Sequence, residues 1–132
     1  MIESCLMDPI AQYHKQFSAP QKTVMNQLRV ELDKILGQEN SRLWHGAPVW
    51  FVGENPVAGY SVNKRGVCLL FWNGRAFKDD SLHNVGKFFA AEARFKDPTE
   101  IKVTKLRALI KNAKTNVWDS VAHMKKARQA SK

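Results

Sequence analysis

The stretch "VAGYSVNKRGVCLLFW", residues 57–72, decides the fold. It holds two β-rich runs, 57–62 and 67–72, joined by Asn63, Lys64, Arg65 and Gly66. Those four residues make a tight turn in which Gly66 is free to take positive φ. In the first run Ala58, Tyr60 and Val62 face one way, and Gly59 and Ser61 the other. The second run is apolar at every position, the pattern of a central strand buried on both faces. Two adjacent strands with a short connection are antiparallel neighbours.

Upstream, "RLWHGAPVWF" (42–51) leads into a strand over 49–52. Gly46 and Pro48 turn the chain into that strand, with Ala47 held extended before the proline. Trp44 and His45 are then presented at a sheet edge. Downstream, a polar loop over 73–87 precedes "FFAAEARF" (88–95), a fourth strand.

Helices flank this sheet. Asp8 and Pro9 start a short helix over 8–17 as cap and first helical residue. Ser18 and Gln21 form a capping box for a helix over 19–36. There Val24, Leu28, Leu32 and Ile35, widened by Met25 and Leu36, make an apolar stripe that stops at Gly37. Val103, Leu106, Ile110 and Ala113 give 102–114 an inner face, and Asn116 caps a last helix with Val117, Val121 and Met124 inward. The expected fold is therefore α+β, an antiparallel meander sheet of four to five strands packed against N-terminal and C-terminal helices. Its 132 residues suit one domain.

The net charge of +9 is unevenly placed. Residues 1–66 carry seven Lys/Arg against six Asp/Glu, and residues 67–132 carry fourteen against six. Beyond Ile101, Asp119 is the lone acid among nine cations. Lys105, Arg107, Lys111, Lys114, Lys125, Lys126 and Arg128 form a basic patch if the last two helices lie side by side. Such a patch gives salt-sensitive, sequence-independent affinity for nucleic acid or an acidic protein. The acidic, leaderless N-terminus and the lack of any apolar run near ~20 residues predict a cytoplasmic protein without a membrane span. Cys5 and Cys68 are expected as free thiols.

Motifs for catalysis and metal binding are missing from the sequence. His14, His45, His83, His123 and the two cysteines never fall at metal-ligand spacing, and no GxSxG elbow or P-loop occurs. Asp79–Asp80 in "KDDS" reads as a turn or cap. No metal, cofactor or catalytic residue is expected. The aromatic content points instead to binding. Side chains alternate along a strand, so the sheet's aromatics cannot all face the helices. The candidate ligand-binding set is Trp44, His45, Trp50, Tyr60, Lys64, Trp72 and Arg75, for a small-molecule or peptide ligand. An exposed aromatic sheet is equally a homodimer surface.

Three segments, "LWHGAPVWFVGENPVAGYSVNKRGVCLLFWNG", "GKFFAAEARFKDPTEI" and "LIKNAKTNVWD", resemble the YdhG-like family of small bacterial domains of unknown function. The resemblance runs from about Leu28 to Arg128. It implies an α+β domain with an antiparallel sheet backed by helices, and it carries over no catalytic residue. Some members are described as frataxin-like iron chaperones, which bind iron through an acidic ridge. The long helix here offers Glu31, Asp33 and the trailing Glu39, interspersed with Arg29 and Lys34, so the chain departs from that pattern.

Overall fold

The computed structural model describes residues 8–86 and 89–118. α1 (Pro9–His14) starts at Asp8, whose carboxylate accepts from the Ile10 and Ala11 N–H groups. α2 (Ala19–Leu32) starts at the Ser18–Gln21 capping box and runs on through a π-helical turn, Asp33–Gly37. Gly37 leaves the helix at φ 96°, where a side chain is strained. Val24, Met25, Leu28 and Leu32 are fully buried and Leu36 nearly so, while Ile35 packs at the core margin.

Six strands follow: β1 (Ser41–Trp44), β2 (Ala47–Val52), β3 (Asn55–Asn63), β4 (Gly66–Phe71), β5 (His83–Asn84) and β6 (Ala91–Phe95). All pairings are antiparallel, in the order β1-β2-β3-β4-β6-β5. The first four strands form a meander. The chain then reaches the far edge for β5 and turns back, so that β6 pairs with β4. Two strands exceed the sequence reading. "SRLW" is a strand rather than an approach to one, and the loop over 73–87 contains β5.

Local chemistry explains the three successive hairpins. His45 and Gly46 are both left-handed, φ 53° and 81°, as a two-residue type I′ turn requires. Histidine is one of the few non-glycine residues enriched there. Gly53, φ 61°, starts the β2–β3 turn. In the third turn Asn63 Oδ1 accepts from the Arg65 N–H, and Gly66 takes φ 106°. A bulge in β3 at Val57 lets both Val57 and Ala58 enter the core.

α3 (Val103–Thr115) lies beside α2 on one face of the sheet. Leu106, Leu109, Ile110 and Ala113 are its buried stripe, and Val103 is exposed. The core lies between these helices and Trp50, Tyr60, Val67, Leu69, Phe71, Ala91 and Ala93 of the sheet. A half-buried pair ties the two helices, with the Arg107 Nε donating to both oxygens of the buried Glu31 at 2.9 and 3.1 Å. Of the helix expected after Asn116, Val117 and Trp118 are described and not helical, and the rest lies outside the described residues, as do Cys5 and His123. No helix among the described residues is long and apolar enough to cross a membrane.

Candidate functional site

Strand alternation sorts the aromatics onto two faces. Trp50 and Tyr60, expected at a ligand surface, belong to the helix-covered face and are 0% and 2% exposed. The Trp50 Nε1–H donates to Asp33 Oδ1 at 2.9 Å, so the π-helical turn supplies the acceptor for a buried indole. The Tyr60 hydroxyl lies 2.6 Å from His14 Nε2. The other ring nitrogen, Nδ1, faces Asn26 Oδ1 at 3.0 Å. An amide oxygen accepts only, so His14 carries its proton on Nδ1 and its Nε2 accepts from the tyrosine. Burial keeps the imidazole below its ordinary pKa and pushes the phenol above its own. Both groups are core, because they share the face on which α1 and α2 pack.

The second face gathers Arg42, Trp44, Val49, Phe51, Gly59, Ser61, Leu70 and Trp72, by register. The Arg42 guanidinium sits 4.1 Å above the Phe51 ring. Trp44 contacts three rings, His45 at 4.1 Å, Phe51 edge-on at 5.7 Å and Trp72 at 6.0 Å. Beside this Trp44–Trp72 contact lies an open hollow of about 260 Å³, which the two indoles line together with Ala47, Pro48, Val49, Gly59, Tyr60, Ser61, Leu70 and the exposed His45. Gly59 is obligatory in this lining. A Cβ there would stand 2.7 Å from the Pro48 carbonyl oxygen and 3.0 Å from Val49 Cγ2. Of the seven ligand-binding candidates, Trp44, His45, Tyr60 and Trp72 border this hollow, Tyr60 with its ring turned into the core.

The remaining two are elsewhere. Lys64 is exposed in the β3–β4 turn. Arg75 is a loop clamp. Its Nε donates to the Ala90 carbonyl, and one terminal nitrogen donates to those of Val85 and Gly86. It borders a larger, polar hollow of about 650 Å³ with Lys78, Asp79, Asp80, His83 and Arg94. Several charges there are mutually engaged. Arg94 Nε donates to Glu92 at 2.8 Å, and Asp79 accepts from Lys105 at 2.6 Å and from the Ser81 hydroxyl. Those bonds to Lys105 and Ser81 hold the Asp79 carboxyl down at about 2. Asp79 thus caps a turn, in line with the sequence reading.

The basic patch divides on α3. Helical spacing of about 100° per residue puts Arg107, Lys111 and Lys114 on one flank and Lys105 on the other. Lys105 and Arg107 are spent on Asp79 and Glu31. Lys125, Lys126 and Arg128 lie outside the described residues, so a two-helix basic face is not part of what is described. Cys68 is free and buried, with burial and the Glu92 carboxylate pushing its thiol up. That suits packing rather than nucleophilic attack. Among the described residues no three His, Cys, Asp or Glu groups are placed to hold a metal ion.

Sequence reasoning missed the parts of the hollow that bear no aromatic ring. Pro48 and Gly59 were legible only as strand punctuation, although a proline inside an apolar run and a glycine inside a strand both signal an altered ladder or a close approach. No protein-family model, curated protein or solved structure matches this chain.

Proposed function

We propose that the chain is a non-catalytic binding domain of the YdhG-like type, taking a small or peptidic ligand by an apolar, aromatic group in the hollow that Trp44 and Trp72 line. One observation carries this reading. Two indoles in contact border one hollow together with Gly59, which lets β2 and β3 approach closely there. Aromatic walls with few polar atoms are the usual composition of a small-ligand site, and at about 260 Å³ the space suits one ring system. The segment that resembles the YdhG-like family supplies the indoles, the turn and the rest of the lining, from Trp44 to Trp72. The iron-chaperone alternative draws no support from the described residues, which group no three metal-ligating side chains.

The test is ligand-detected NMR of the full chain against a panel of neutral aromatic fragments. Binding is expected, and Trp44→Ala and Trp72→Ala each abolish it while leaving the amide spectrum dispersed. Fragments that bind both variants as well as the parent would refute this site.

A further inference from the structure

β6 outruns the strand beside it. It has five residues, and β5 pairs with two of them, His83 with Glu92 and Asn84 with Ala91. The Val85 N–H donates to the Ala90 carbonyl at 3.0 Å, so Ala90 and, by alternation, Glu92 direct their main-chain groups to the β5 side. The Phe95 carbonyl faces the other way, onto Gly66 of β4. The Arg94 N–H and C=O therefore point to the β5 side, past the end of that strand. Among the described residues no strand stands opposite them. Such an edge is a template for a further strand.

A hollow of about 350 Å³ opens along it, and Ala93, Arg94 and Phe95 all border that hollow. Successive side chains of a strand point to opposite faces, so three residues in a row share one hollow only along the strand's edge. On the helix side Leu106 and Leu109 of α3 join Ala93 and Phe95 as an apolar lining.

Charge selects the occupant. Glu92 has Arg94 at 2.8 Å and Arg65 at 4.0 Å and offsets only one of them. The one acid bordering the hollow, Glu100, turns its carboxylate to the Lys96 and Asp97 N–H groups. Lys105 is held by Asp79, but Lys102 on the rim and Lys96 just after β6 are exposed. A second copy paired along this edge would set these cations against their own counterparts, which is destabilising. An acidic strand is the complement.

We propose that the edge of β6 takes up an extended acidic peptide of a partner protein as an added strand, in which the residue opposite Arg94 exchanges main-chain hydrogen bonds with it, acidic side chains lie on the side of Arg94, and alternate aliphatic side chains enter the hollow. This surface is separate from the one at Trp44 and Trp72 and does not depend on it.

The experiment titrates the isotope-labelled full chain with the capped peptide Thr-Val-Glu-Val-Glu-Val-Thr, with its analogue bearing lysine for glutamate, and with two N-methylated forms. Residues directly opposite one another share a face, so the glutamate amides are those aimed at β6 and the valine amides those aimed at solvent. The glutamate peptide is expected to bind and to slow hydrogen exchange at the Arg94 amide by about tenfold or more, while the Trp44 and Trp72 side-chain resonances stay in place. Methylating the glutamate amides, or replacing glutamate by lysine, should each weaken binding about tenfold or more. Methylating the valine amides should not. Lys96→Glu, at an exposed position, should weaken the glutamate peptide and strengthen the lysine analogue. Failure of the glutamate peptide to bind, binding without protection of Arg94, or equal loss from the two methylation patterns overturns the proposal. Equal affinity of the lysine analogue overturns the acidic partner. Shifts at Trp44 and Trp72 in place of Arg94 would put the peptide in the other hollow and equally overturn this site.

Discussion

Tyr60→Phe removes one half of the buried His14–Tyr60 hydrogen bond. The hydroxyl donates to His14 Nε2 at 2.6 Å, and both residues are buried. Removing it leaves a neutral imidazole nitrogen without its donor, in a space too closed for easy hydration. Stranding a buried acceptor costs about 1–3 kcal/mol. A domain of this length loses about 4 °C of melting temperature per kcal/mol, so Tm should fall by about 4–12 °C. The pH dependence sharpens the test. In the parent, burial depresses the His14 pKa below its ordinary 6.5. The unfolded chain then binds the proton more readily, and the stabilising effect of neutral His14 is fully present above pH 6.5 and fades as pH falls through the lower folded value. In Tyr60→Phe the Nε2 lone pair is free to take a proton. The folded pKa rises, and the penalty measured at pH 8 shrinks toward pH 5. Urea melts of both proteins at the two pH values provide the measurement. A loss below about 0.5 kcal/mol at pH 8 would refute the buried His14–Tyr60 bond.

Three further outcomes follow from the geometry. Gly59→Ala should destabilise by about 1–3 kcal/mol in a denaturant melt, because the new methyl meets main chain that cannot yield; an unchanged midpoint would contradict the close approach to Pro48. Glu31 is held below the ordinary carboxylate range chiefly by the Arg107 hydrogen bonds, so its contribution is present above pH 4.5 and is lost as pH falls through the lower folded value. Glu31→Gln should therefore destabilise at pH 7 and converge with the parent in acid melts, and parallel curves would argue against the pair. In a Cys5→Ser background, Cys68 should ignore a thiol-disulfide reagent at pH 8 until denaturant is added, and rapid native labelling would show that the strand is open.

Much of the architecture was legible because it rests on local chemistry. The Ser18–Gln21 capping box, the Val24–Leu28–Leu32 stripe and the Gly66 turn each require particular residues within a few positions, and each stands where the sequence put it. β1 was missed because "SRLW" is a four-residue edge strand whose evidence lies mainly across the sheet, in its pairing with β2. β5 is shorter still, and its pairing with β6 depends on a loop clamp by Arg75. The His45–Gly46 turn is the local signal for the partner of β1, and nothing local specifies that of β5.

The site divides along the same line. By itself the sequence determined that the strand aromatics must point both ways, since successive side chains alternate. It determined the turn at Asn63–Gly66 and the proline that enters β2. Only the tertiary structure decided which parity meets the helices. α2 and α3 pack on the face of Trp50 and Tyr60, and that choice made these two core and left Trp44 and Trp72 to form the hollow. The physical reason is that alternation is a property of one strand, whereas the buried face is set by where distant helices find enough apolar area to cover.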